Sequence, residues 1–132
     1  MNQSILTAAT QMTGRVLMSA IFLMAGISKL GSYAATQGYM ESMGVPGALL
    51  PLVILLELGG GLTVLLGWQT RISAFLLAGF CIVSALIFHA SFGDQMQSIL
   101  FMKNMAMAGG FLFLVTGGAG AWSLDARRQA NR

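Results

Sequence analysis

Glu57 stands in the middle of a long apolar run, PGALLPLVILLELGGGLTVLLGW, at residues 46–68. If that run crosses a membrane, its carboxylate costs at least about 2.5 kcal/mol to insert. The short side chain cannot snorkel far toward the headgroups. It must pair with a cation, carry a proton or touch water. Each of these is chemistry: a group so placed can hold a proton, pass it on, or receive a hydrogen bond from a ligand. Lys29, His89 and Lys103 lie near the ends of other apolar runs, and Asn104 follows Lys103. A carboxylate, an imidazole, two ammonium groups and an amide suit proton transfer and hydrogen bonding to a small polar molecule. They do not suit a resident metal: Cys81 is the single cysteine and His89 the single histidine. That excludes an internal disulfide, a CxxC redox pair and a cysteine-built zinc or iron–sulfur site.

The elements that position these groups follow from composition. The chain has 132 residues, 56% hydrophobic and only 8% charged. A soluble domain carries roughly 25% charged residues, so this chain cannot coat a globular surface. A soluble globule, a disordered chain and a nucleic-acid binder are excluded; the expected partner is the lipid bilayer. The net charge of +3 comes partly from Arg127, Arg128 and Arg132, a modest basic tail beside a membrane. The expected architecture is one all-α domain over 1–132, an integral membrane four-helix bundle.

The charges mark its four transmembrane helices. A span needs about 20 mostly apolar residues. Residues 72–93 and 104–124 contain no Asp, Glu, Lys or Arg. The run between Arg15 and Lys29 is short, but both side chains can snorkel, which extends it. Pro46 and Pro51 suit the start of the run holding Glu57, where a missing N–H costs little. The predicted spans are about 10–31, 48–68, 72–90 and 100–119. The first reads as a retained helix rather than a signal peptide, because no basic start or cleavage site is evident. The polar connection 31–45 has room for a short surface helix, with Tyr33 and Tyr39 as interface anchors. Residues 67–71 form a tight turn.

Five basic residues (Arg15, Arg71, Arg127, Arg128, Arg132) fall on one side and two (Lys29, Lys103) on the other. The positive-inside rule then places both termini in the cytoplasm, with Arg15 and Arg71 as topology determinants. Residues three or four apart share a helical face. Arg15, Ser19, Phe22, Gly26 and Lys29 form one stripe. Glu57 precedes Gly60 and Gly61; Ala74, Ala78, Cys81, Ala85 and His89 line up; so do Lys103, Ala106, Gly110, Phe113 and Gly117. Small residues let helices approach in lipid, and ionisable residues avoid it. These stripes are the expected interior. Lys29, His89 and Lys103 share the outer end, and Glu57 lies roughly 9 Å inward of Pro51. A polar pocket of Lys29, Glu57, His89 and Lys103 is expected there, with Asn104 beside it and Asp94 at its mouth. Glu57 is expected within one water of Lys29 or Lys103.

These residues carry a resemblance. Arg15, FLMAGISKL (22–30), GYMESMGVP (38–46), LLELGGGLTVLLGWQTR (55–71), His89, FMKNMAMAGGFLFL (101–114) and GAWSLD (120–125) together resemble the DoxX family, in its small bacterial inner-membrane subgroup. The resemblance spans nearly the whole chain. It implies four transmembrane helices, a bacterial inner membrane and an association with redox chemistry. Relatives are linked to quinone-coupled oxidoreductases, including thiosulfate oxidation, and to complexes handling thiol or oxidative stress.

The first functional expectation is therefore a membrane oxidoreductase, or the membrane subunit of a quinone-linked redox complex. Glu57 and His89 would supply protons and hydrogen bonds; Lys29, Lys103 and Asn104 would line the site. One histidine and an unplaced methionine make poor haem ligands, so the electron carrier would belong to a redox partner protein. The alternatives are a proton or small-molecule transporter, whose thin bundle would call for a homo-oligomer, and a structural assembly subunit without catalysis.

Overall fold

The computed structural model describes residues 3–131. Six α-helices follow one another: α1 (Gln3–Gly31), α2 (Tyr33–Ser42), α3 (Leu50–Leu66), α4 (Thr70–Phe88), α5 (Gln95–Gly117) and α6 (Leu124–Ala130), with a single 3₁₀ turn at Gly47–Leu49 before α3. No strand occurs among the described residues. Four stretches are long and apolar enough to cross a membrane: Ser4–Gly31, Gly47–Leu66, Thr70–Phe88 and Gln95–Gly117. They overlap the four expected spans; α1 begins well before residue 10, and α5 begins at Gln95 rather than near 100. At about 1.5 Å per residue, the 29 residues of α1 extend about 43 Å. That exceeds the hydrocarbon thickness, so α1 tilts or emerges into the headgroups.

Packing is pairwise. α1 lies along α3 and α4 along α5, with α3 against α4 joining the pairs. In lipid such contacts rest on close van der Waals approach. Gly26 is where α1 and α3 come closest: a Cβ there would stand 2.6 Å from the Leu58 side chain. Gly61 of α3 faces Leu23 in the same way, at 3.1 Å. The expected interior face of α1 is the observed one, since Arg15, Ser19, Phe22 and Gly26 are all buried. Phe22 reaches across the bundle, edge-on to Phe111 at 5.4 Å and to Phe80 at 6.4 Å.

The expected face of α5 is not the observed one. Lys103, Ala106, Phe113 and Gly117 are exposed, while Ala108 and Phe111 are buried and Asn104 is half-buried. The interior face is centred about one residue on from Lys103, a rotation of roughly 100°. Apolar residues surround α5 on all sides, so its pattern contains no marker of rotation, and the lysine was the wrong one. Asp94 is also displaced from its expected place at the pocket mouth. Its carboxylate accepts a hydrogen bond from the Met96 N–H at 3.0 Å and caps the start of α5.

Candidate functional site

At one end of the bundle lies a cavity of about 460 Å³. Its floor is the Phe22–Phe80 contact. Its walls come from α1, α3, α4 and α5, and α2 roofs it. Tyr39 stacks on Phe88 with ring centres 5.4 Å apart and planes 24° apart. Gln37 Nε2 donates to the Gly47 carbonyl at 3.1 Å, which fastens α2 to the start of the third span.

Lys29, Glu57, His89 and Asn104 all line this cavity. Lys103 does not: it is exposed on α5 and turned away. Lys29 Nζ lies 2.9 Å from Glu57 Oε1 and donates a hydrogen bond to Oε2 at 3.1 Å. The expected pairing is therefore direct, and the partner is Lys29. The two side chains differ in surroundings, Lys29 being 28% exposed and Glu57 only 4%. Glu57 Oε1 receives the ammonium charge but no hydrogen bond of proper geometry. His89 terminates α4, and its Nδ1 is 2.9 Å from Gln97 Oε1. Asn104 Nδ2 donates to the Cys81 carbonyl at 3.3 Å, which leaves its amide oxygen without a partner in that contact. The remaining wall is mostly aromatic and aliphatic. Thr36, Tyr39, Cys81 and Ser84 also border the cavity, and sequence reasoning did not place them there. The arrangement can bind a small, largely apolar molecule with a polar head. It offers a paired carboxylate at one side and an imidazole at another.

The opposite end of the bundle holds a second polar cluster. Arg15 is not a snorkelling flank residue; it is 2% exposed. Its Nη1 donates to the Val64 and Leu65 carbonyls at 3.2 and 2.8 Å, and its Nη2 donates to the Trp122 carbonyl. Gly67, at φ +70°, ends α3: its N–H donates to Val64 O and the Trp68 N–H to Thr63 O. That turn needs the left-handed region, and a Cβ on Gly67 would also stand 2.7 Å from Arg15 Nη1. Arg15 thus serves Leu65 O, which the helix end leaves short of donors, and adds a second donor to Val64 O. Asp125 completes the arrangement. Its two oxygens accept from the Gln69 and Thr70 N–H groups at 2.8 and 2.9 Å, capping α4. Its own N–H donates to Gly67 O at 2.8 Å. The α3–α4 turn is thus clasped from one side by α1 and from the other by α6. A wide depression of about 700 Å³ beside α6 contains Arg71, Asp125 and Arg128.

Partial burial pushes the Asp125 carboxyl up. Hydrogen bonds from Thr70 and Gln69, with the nearby charge of Arg128, outweigh it and hold the group below its ordinary value. A carboxylate depressed on folding stabilises the protein above its unfolded value of about 4. That contribution fades as pH falls through the lower folded value. Asp125→Asn should therefore lower the melting temperature at pH 7, because the amide keeps one acceptor of two and no charge, a loss of about 1 kcal/mol. The gap to wild type should narrow toward pH 3. A gap that is constant from pH 7 to pH 3 would show that the charge has no part in the clasp.

The DoxX family model matches residues 10–90, a stretch that includes Arg15, Lys29, Glu57 and His89. Inner membrane protein YqjF of Escherichia coli (strain K12) is 51% identical over 114 residues, covering 86% of this chain and 88% of that protein. Inner membrane protein YphA of the same organism is 34% identical over 120 residues, covering 86% of each. No solved structure matches the chain. Four apolar helices long enough to span a membrane, the match over most of the first three, and relatives aligned along most of their length together make this chain a membrane protein of the DoxX family.

Proposed function

We propose that the protein is the membrane subunit of a quinone-linked oxidoreductase of the bacterial inner membrane, and that its ligand occupies the cavity at Lys29 and Glu57. The carrying observation is Glu57 Oε1: a buried carboxylate oxygen at a cavity wall that lies 2.9 Å from Lys29 Nζ but accepts no hydrogen bond of proper geometry. A quinol hydroxyl would supply one. The volume suits a small-molecule site, and a mostly apolar wall with few polar groups is the usual make-up of one. Oxidation of a quinol releases two protons and two electrons. Glu57, held by Lys29, would accept one proton, and His89, held by Gln97, would offer the second acceptor. The electrons would pass to an acceptor on a partner protein. The transporter reading has less support, because each of the four spans is one continuous helix whereas transporter sites are commonly built on broken ones.

The test is binding of a short-chain benzoquinol to purified protein in lipid nanodiscs. Wild type should bind, and Glu57→Gln should weaken binding at least about tenfold, the loss of one charge-assisted hydrogen bond of about 1.4 kcal/mol. Equal binding by wild type and folded Glu57→Gln would reduce Lys29–Glu57 to a structural ion pair.

Inner-membrane placement is supported by the relatives, which are inner membrane proteins, and cytoplasmic termini by the arginines at the α6 end. A reporter fused to the C-terminus should give a cytoplasmic signal. A periplasmic signal would turn the cavity toward the cytoplasm.

A further inference from the structure

We propose that the ligand of this cavity enters sideways from the bilayer, and that it carries an apolar tail lying in the gap between α1 and α4. The proposal rests on the reading of the cavity as a ligand site and adds the class of ligand: a tailed, membrane-dissolved molecule. Ile21 of α1 is 43% exposed, and Val83 and Ile87 of α4 are 55% and 36% exposed. All three also line the cavity. They lie within membrane-spanning helices, so where the cavity opens past these three side chains it opens at the level of the bilayer. A residue that borders both the cavity and the bilayer marks an opening between them. The helix pairing explains why the opening is there. α1 is committed to α3 and α4 to α5, and Phe22 bridges the pairs only at the cavity floor. One turn further on, α1 presents Ala25, too small to close the gap.

The water-facing side has a cover of its own, although Tyr39 in it is 50% exposed. α2 covers it with Met40, which is buried, and with Tyr39 stacked on Phe88. The polar head then meets Lys29 and Glu57 beneath this roof, while the tail follows Ile21, Val83 and Ile87 outward. A tail in that gap replaces lipid contacts with side-chain contacts without crossing water.

The test compares two probes in nanodiscs, a decyl-tailed benzoquinone and the same headgroup without a tail, on wild type and Val83→Trp. Val83 borders the gap and is 55% exposed, so the variant should keep its fold, and its indole should fill the gap. Partitioning into the disc is common to both proteins, so the ratio of affinities reads the gap alone. Val83→Trp should weaken the tailed probe at least about tenfold more than the tail-less probe. A benzophenone at the end of the tail should cross-link to Ile21 or Ile87 in wild type. If both probes bind but Val83→Trp affects neither, or cross-links fall only on α2, the ligand enters under the roof and lateral access is overturned alone. If neither probe binds wild type, the quinone reading is overturned as well.

Discussion

Arg15→Ala should cost about 3–5 kcal/mol of stability. The guanidinium donates to three carbonyls, those of Val64, Leu65 and Trp122. Hydrogen bonds to a charged donor contribute about 1.5–3 kcal/mol each, and a buried acceptor left unpaired costs about 1–3 kcal/mol. The Trp122 carbonyl sits in the loop before α6 and can recover a water, which keeps the total below the simple sum. Arg15→Lys should recover only part of the loss, because one ammonium cannot reproduce a planar fork across two chain segments. Titration of the protein in mixed micelles with dodecyl sulfate, followed by loss of helical circular dichroism, measures both. An Arg15→Ala midpoint equal to that of wild type would mean that the turn closes without the guanidinium.

Arg15 shows where sequence reasoning stops in such a chain: its place on the inner face of α1 is legible, and its partners are not. An arginine at the end of an apolar run has an easy explanation in the headgroup layer. Its actual partner Trp122 lies 107 residues away, and carbonyl acceptors leave no mark in composition or periodicity. Asp125 was equally silent, since its role is to accept two backbone N–H groups at the other end of the chain. The spans themselves were legible because charges are scarce enough to delimit them. The face of α1 was legible because Arg15, Ser19, Phe22, Gly26 and Lys29 alternate with the exposed Leu17, Met24 and Ile27. α5 has no such contrast, and the choice of Lys103 over Asn104 as its inward marker displaced one residue of the expected site. The roof was half legible: a surface helix was expected over 31–45, but not that Thr36, Tyr39 and Met40 would close a cavity.

The Lys29–Glu57 pair should respond unequally to removal of its two members. Glu57 is 4% exposed and its short side chain cannot reach the membrane surface; Lys29 is 28% exposed at the end of α1. Lys29→Met strands a carboxylate among apolar walls, and breaking a buried pair in this way costs about 3–5 kcal/mol. Glu57→Gln strands a lysine whose stem can carry the ammonium to the headgroups, and the cost should be nearer 1 kcal/mol. The double variant removes both charges and should be more stable than Lys29→Met alone by about 2 kcal/mol, a coupling in the range found for contacting residues. The micelle titration that measures Arg15 measures this cycle too. The inequality matters for function because it identifies which member the fold requires. If Glu57 were present only to neutralise Lys29, Glu57→Gln would be the damaging change. A lysine free to leave, beside a carboxylate that is not, is instead the arrangement of a cation held in place for the sake of the carboxylate. Equal losses from the two single variants, or a double variant no better than Lys29→Met, would show that the pair is not the buried, one-sided contact described above.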